Sequence, residues 1–395
     1  MDNEMITFDR AFEIVINTDF KTGDELVSYE DSAGRVLAEN VASDIDMPPF
    51  NKASVDGFAC KQSDLANELE IIETIPAGKW PEKEVGSHQC SRIMTGAALP
   101  GGSDCVIMVE DTILLPTGRI LFNGSVTKEN YARKGEDIKK GDIVLSKGKL
   151  ILPQDIAVLA TVGHILPRVS RMPRIAVIST GDELVEPDHI PGRSQIRNSN
   201  ASQLLAQVSR SGGIGKYYGI VRDNEEETLT AVKKAIFENE ILIITGGVSM
   251  GDFDFVPSVL EEAGVRIIFS RVAVQPGKPT TFGLHSEAVV FGLPGNPVSA
   301  FIQFEMLIKP LIYKMMGHVF RPLNIRLPMR ERFIRAFSER LAHIPVKITD
   351  EGKVTPVEYH GSAHIIALSE TDGIIKLSSG INKIEEGEIV SVRQI

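Results

Sequence analysis

Three carboxylates, a lysine and a pair of glycines stand where short apolar runs of the chain end. Ser179-Thr180-Gly181-Asp182-Glu183, Arg222-Asp223, Thr245-Gly246-Gly247-Val248-Ser249-Met250-Gly251-Asp252-Phe253-Asp254 and Leu293-Pro294-Gly295-Asn296-Pro297-Val298-Ser299 each follow such a run. Glycine at 246 and 247 lets backbone amides approach a phosphate closely, because no side chain obstructs them and unusual dihedrals are tolerated. Glu183, Asp223 and Asp254 come from three different loops, and converging there they would hold one divalent cation against phosphates. The competing role for Asp223 and Asp254 is helix capping, and the two roles can coexist at a helix start. In Gln275-Pro276-Gly277-Lys278-Pro279 the lysine rides a Pro/Gly turn. With the hydroxyl and amide of Ser299 at the opening of a helix, it would seat an oxyanion. A solvated surface lysine is the alternative.

Such loops need a scaffold that brings them to one edge. Ile175-Ala176-Val177-Ile178, Tyr217 to Val221, Ile241-Leu242-Ile243-Ile244, Ile267-Ile268-Phe269 and Ala288-Val289-Val290-Phe291 are the short apolar runs expected of strands buried in a parallel sheet. Helical segments fall between most of them; the clearest follows Asp223, with Leu229, Val232 and Ile236 at helical spacing and an Asp223/Glu226 capping box. This predicts a doubly wound α/β domain over residues 172–318, in which ligands bind beyond the carboxyl ends of the strands. Residues 1–171 are expected to form a strand-rich region, made of two subdomains, one of them discontinuous. It opens on an amphipathic helix carrying Ala11, Ile14 and Val15. A second helix is expected from Leu152-Pro153, with Ile156, Leu159 and Ala160 on one face and Gly163 as its stop; Pro167 to Pro173 reads as a connector. Residues 319–395 are expected to form a small all-β domain. Its period-two runs are Ile344 to Ile348, Thr355 to Tyr359, Gly373 to Leu377 and Glu388 to Val392, with Pro345 marking an edge strand.

Composition narrows the function classes. The chain has 395 residues, 53 acidic against 42 basic, for a net charge of -11, which disfavours a nucleic-acid partner. Met1-Asp2-Asn3-Glu4-Met5 lacks the features of a signal peptide and no run reaches transmembrane length, so no membrane partner and a cytoplasmic location are expected. Cys60, Cys90 and Cys105 are widely spaced and odd in number, consistent with reduced, partly buried thiols rather than disulfides or a metal knuckle. His360 and His364 would suit zinc on a helix, but their setting reads as strand-like.

The loops from Ser179 to Leu184, from Thr245 to Asp254, from Pro276 to Pro279 and from Gly292 to Ser299 resemble, in order and spacing, the molybdopterin molybdenumtransferase family, which includes the gephyrin E domain. So do three stretches of the first half: Asp46-Met47-Pro48-Pro49-Phe50-Asn51-Lys52-Ala53-Ser54-Val55-Asp56-Gly57-Phe58-Ala59, Arg92-Ile93-Met94-Thr95-Gly96, and Arg133-Lys134-Gly135-Glu136-Asp137-Ile138. The resemblance covers most of the chain. It implies an enzyme that takes molybdate and adenylylated molybdopterin as substrates, releases AMP and leaves molybdenum on the dithiolate, with Mg2+ assisting.

Carried onto matching positions, the resemblance implies Glu183, Asp223 and Asp254 as magnesium ligands, and Lys278, Pro279, Ser299 and Ser362, with Arg271 upstream, at the molybdate. It implies Thr180, Gly181, Gly246, Gly247, Ser249, Pro294, Gly295, Asn296 and Pro297 along the pterin nucleotide. It further implies a homodimer in which Asp56, Thr95 and Asp137 of one chain line the cleft of the other. Unaided by the resemblance, these three read as a turn residue, a structural threonine and a solvated loop acid. An upstream adenylylating enzyme and molybdoenzyme chaperones are further expected partners. Two departures stand out: Gln275 replaces a frequent lysine, and Arg340 matches the family only loosely because the usual Arg-Thr-Glu-Phe stretch is missing. A stand-alone adenylylating or pyrophosphate-cleaving enzyme would resemble only the middle segment, and a receptor-clustering scaffold would need a linker or partner domain that this sequence does not resemble.

Overall fold

The computed structural model describes residues 5–247, 255–357 and 364–395. The chain enters through α1 (Phe8–Ile16), whose N-terminus is capped by Thr7 accepting from the Arg10 amide at 3.3 Å. Phe8, Ala11 and Val15 form its buried stripe, and they join the core of the α/β region further along the chain. Strands β1 (Gly57–Cys60), β2 (Glu70–Ile75), β3 (Gln89–Ile93) and β4 (Cys105–Met108) then build a sheet in the order β2-β3-β1-β4. Cys60 pairs in register with both Cys90 and Cys105, and all three thiols are fully buried rather than partly so. Burial pushes the Cys90 thiol up to about 12, which keeps it protonated and inert.

Helix α2 (Pro153–Thr161) forms with proline in its first turn, and Gly163 follows at φ 68°. Its inward face differs from the expected one: Asp155 and Leu159 are buried, while Ala160 faces solvent. Asp155 is drawn in because its carboxylate accepts from the Leu152 amide at 2.9 Å and lies 3.4 Å from the Lys149 ammonium. The stretch from Pro167 to Pro173 is more than a connector, since Arg168–Ser170 pairs antiparallel with Asp24–Leu26 and ties the end of this region to its beginning.

The α/β region comprises β5 (Arg174–Thr180), α3 (Ser199–Arg210), β6 (Ile214–Val221), α4 (Glu225–Glu238), β7 (Ile241–Thr245), α5 (Val256–Glu262), β8 (Arg266–Phe269), β9 (Val274–Gln275), β10 (Thr281–Leu284), β11 (Val289–Leu293), α6 (Pro297–Gln303) and α7 (Lys309–Met315). A one-turn π segment, Phe304–Ile308, joins the last two helices. The sheet order is β6-β5-β7-β11-β10-β8. Its first four strands are parallel; β10 runs antiparallel to both β11 and β8, so the run from Ile267 to Phe269 points the same way as the parallel set but is parted from it by β10. β10 escapes a pattern search because Thr-Phe-Gly-Leu is short and broken by glycine.

Alternation explains why both faces are covered. Ile175, Val177, Ile241, Ile243, Val289 and Phe291 point into one core with α3, α6 and α7, whereas Ala176, Ile178, Leu242, Ile244 and Val290 point into the other with α4 and α5. Each fully buried aliphatic side chain of this kind contributes about 1.5–3 kcal/mol. The cap of α4 is Asn224, accepting from the Glu227 amide at 3.0 Å, and not the expected Asp223/Glu226 box.

The C-terminal sheet holds β12 (Asn324–Pro328), β13 (Leu341–Ile348), β14 (Val354–Pro356), β15 (Gly373–Leu377) and β16 (Ile389–Gln394) in the order β9-β13-β15-β16-β12, with β14 also on β13. It borrows β9 from the α/β region, and it is not purely β, because a 3-10 turn spans Ile365–Glu370. Pro345 lies in an interior strand and not at an edge. It is tolerated there because it lies between the stretches covered by β9 (Leu341 and Ala342) and β14 (Val346 to Ile348), where only its carbonyl is used, accepting from the Val357 amide at 3.0 Å. His364 directly precedes the 3-10 turn, so its setting is not strand-like, and His360 lies outside the described residues. The fold is thus a multidomain α/β architecture with a strand-rich N-terminal region, a central doubly wound domain and a small C-terminal β sheet.

Candidate active site

At the carboxyl ends of β5, β7 and β11 the chain opens a cleft of about 680 Å³. Thr180, Gly181, Glu183, Asp223, Gly246, Gly247, Pro279, Pro294, Gly295, Asn296 and Pro297 all line it, so most of the expected loop residues meet at one place. The local reason is topological: each parallel strand delivers its following loop to the same edge. Gly246 has φ 98°, and a Cβ there would stand 2.3 Å from the Thr180 carbonyl oxygen. Only glycine allows this loop to press against the end of β5 and leave the cleft floor open.

The cleft also takes residues that sequence reasoning passed over. Asn198, Ser199 and Asn200 open α3 at its wall. Asn198 accepts from the Ala201 amide and from the Ser179 hydroxyl, both at 3.2 Å, which fixes the helix N-terminus against β5. Asn200 donates to Thr245 Oγ1 and to the Gly295 carbonyl, both at 2.8 Å, and so couples the loops after β7 and β11. The available signal was an Asx/Ser cluster before an amphipathic helix.

Asp223 is not a helix cap. Its Oδ2 accepts from the Asp182 amide at 3.4 Å while its own amide donates to Asp182 Oδ1 at the same distance. Glu183 and Asp223 are therefore both cleft carboxylates, and Asp254 lies outside the described residues, as do Ser249 and Ser362. Among the described residues no group of three His, Cys, Asp or Glu side chains is arranged to hold a metal alone. Two carboxylates do fit magnesium, which keeps several waters and is bound through one or two carboxylates plus substrate phosphates.

Lys278 is exposed on the turn that follows β9 and is not among the lining residues, although its neighbour Pro279 is. Ser299 is buried in the first turn of α6, behind the lining residues Asn296 and Pro297. The Arg271 carbonyl accepts from the Ile6 amide at 3.2 Å, so the backbone at Arg271 is tied to the start of the chain. Arg340 gains a definite place: its Nη1 donates to the Val274 carbonyl at 3.1 Å, immediately before the Gln275 turn.

Asp56, Thr95 and Asp137 do not line this cleft; they belong to the N-terminal region. Asp56 and Thr95 nevertheless form one unit. Thr95 donates its amide to Asp56 Oδ1 at 2.6 Å and its hydroxyl to the same oxygen at 2.8 Å. The Thr95 amide, followed by its hydroxyl, holds the Asp56 carboxyl below the usual carboxylate range. Asp137 is exposed, with its amide donating to the Met47 carbonyl at 3.0 Å.

Family models match the chain in sequence: the MoeA N-terminal region (domain I and II) over residues 6–163, the probable molybdopterin binding domain over 176–314, and the MoeA C-terminal region (domain IV) over 326–395. The chain is 37% identical to the molybdopterin molybdenumtransferase of Staphylococcus epidermidis, over 93% of this chain and 90% of that protein. It is 35% identical to that of Bacillus subtilis, over 98% and 93%. The crystal structure of the molybdopterin biosynthesis moea protein from Pyrococcus horikosii matches with a TM-score of 0.84 at 32% identity, covering 99% of each chain. These matches run through all three regions that build and flank the cleft, and on that basis the chain belongs to the MoeA family of molybdopterin molybdenumtransferases.

Proposed function

We propose that this enzyme of molybdenum cofactor biosynthesis inserts molybdenum from molybdate into adenylylated molybdopterin, releasing AMP and leaving the metal on the dithiolate. The observation that carries this reading is the single cleft at the carboxyl ends of β5, β7 and β11. There a glycine loop, two helix N-termini and the carboxylates Glu183 and Asp223 share one wall. The Gly246 amide is taken by the Leu293 carbonyl at 3.2 Å, so the amide of Gly247 and the openings of α3 and α6 are the groups that suit the phosphates of a nucleotide. Glu183 and Asp223, joined by Asp254, would hold Mg2+, which offsets charge on the departing AMP when bound. Lys278 and Ser299, with Ser362, would hold the molybdate dianion beside the sulfurs. The protein's task is positioning and charge stabilisation, and no side-chain nucleophile is needed.

The active form in this reading is a homodimer whose second chain brings Asp56, Thr95 and Asp137 to the cleft. Residues 1–171, 172–318 and 319–395 serve as the three units of each chain. Changing Glu183 or Asp254 to the corresponding amide should abolish magnesium-dependent AMP release and leave the circular dichroism spectrum unchanged. Full turnover by both variants overturns the metal assignment.

A further inference from the structure

We propose that Gln303 is a positioning residue for the molybdate seat, a role that rests on the reading of the Lys278 turn as that seat. Gln303 ends α6 and is completely buried, an unusual place for a glutamine far from the protein surface. Its Nε2 donates to the Pro276 carbonyl at 3.0 Å. The next residue, Gly277, lies directly against the glutamine side chain: with φ 106°, a Cβ there would stand 2.4 Å from Nε2 and 2.8 Å from Cγ and Cδ. The remaining carbonyls of the turn are held within the turn region itself. Thr280 Oγ1 donates to the Gly277 carbonyl at 2.7 Å, and the amides of Val272 and Thr280 both donate to the Lys278 carbonyl at 3.0 Å. The Gln303 amide is thus the tether from α6 to the backbone immediately before Lys278.

Gln303 also lies four residues after Ser299, one turn along the same helix and on the same face. One rigid helix therefore carries the serine of the proposed seat at its start and the clamp on the lysine turn at its end. The spacing between Lys278 and Ser299 is set through Gln303, which itself makes no contact with substrate. A dianion held from two sides is sensitive to that spacing, because a small misplacement weakens charge-assisted hydrogen bonds steeply. Among the described residues the side-chain oxygen of Gln303 has no hydrogen-bond partner, so its link to the turn is made through the donor.

The test replaces Gln303 with Met, which keeps length and shape and removes the donor, and with Asn, which keeps the amide and shortens its reach. Three quantities are read on the full-length protein: the molybdate concentration for half-maximal turnover, AMP affinity by titration calorimetry, and the melting temperature. Both variants should raise half-saturating molybdate by about tenfold, the decade associated with one lost hydrogen bond to the turn. AMP affinity should stay at the wild-type value, while the melting temperature falls by a few degrees because the Pro276 carbonyl loses its buried donor. Lys278→Ala is run alongside. If Lys278→Ala raises the molybdate requirement and neither Gln303 variant does, the positioning role is wrong while the seat stands. If Lys278→Ala is silent, the seat itself is misplaced and the role of Gln303 falls with it. If AMP affinity falls by as much as molybdate capture in both variants, Gln303 is a general structural residue and the inference is overturned.

Discussion

Thr95 closes on Asp56 twice, with its amide at 2.6 Å and its hydroxyl at 2.8 Å from the same carboxylate oxygen. The two residues are thirty-nine positions apart, and their pairing joins the approach to β1 to the exit from β3 on an exposed rim of the N-terminal sheet.

Thr95→Val should raise the Asp56 pKa toward the ordinary carboxylate range without restoring it fully, since the larger contribution, the backbone amide, remains. Carbon-detected NMR titration of the aspartate carboxyls reads this directly. The sign is that of a depressed carboxylate: the stability Asp56 lends is present above its unfolded pKa and is lost as pH falls through its folded pKa. In the variant that contribution should be smaller and its loss complete at a higher pH.

A complementation experiment tests the proposed cross-subunit cleft. Asp56→Asn chains and Glu183→Gln chains should each be inactive alone. When mixed and allowed to exchange subunits they should regain activity, because one hybrid cleft then has both wild-type halves. Confirmed exchange without any recovery would overturn the cross-subunit cleft.

Gln275 ends β9, beside Ala342 of the C-terminal sheet, three residues before Lys278. Gln275→Lys should lower half-saturating molybdate, and Lys278→Ala should raise it more sharply. An effect of about 1–2 kcal/mol, near one decade, is expected after the dianion's desolvation is set against the Coulomb gain. If the glutamine change alone is silent at low salt, Arg271 becomes the second cation, and Arg271→Ala tests that by the same assay.

Glu305 and Lys309 form a buried pair at 2.7 Å across the π segment, with Gln207 donating to the other carboxylate oxygen at 2.9 Å. Lys309→Met leaves that carboxylate without its cation and should cost about 3–5 kcal/mol. The double variant Glu305→Leu/Lys309→Met should recover most of that loss. Chemical denaturation of the three proteins checks both statements, and equal stability of the single and double variants would show that the unpaired Glu305 carboxylate carries no penalty.

The sequence by itself determined the central sheet and the identity of its loops. β5, β7 and β11 are buried on both faces, so they read as unbroken apolar runs, and the residues after them carry motifs specific enough to mark a family. Glycine at 246 was legible for the same reason, since a local backbone demand leaves a local mark. Tertiary structure decided what depends on partners distant in the chain. Pro345 sits inside a sheet because two different strands share its flank. Asp155 turns inward because Lys149 and the Leu152 amide meet it. β10 exists through its neighbours β8 and β11 rather than through its own composition. Asn200 reaches the cleft only because the loops after β7 and β11 both come within hydrogen-bond distance of it. The same holds for Gln303: nothing in a glutamine on an apolar helix announces the Pro276 carbonyl twenty-seven residues away, because a hydrogen bond between distant segments has no periodicity to leave in sequence.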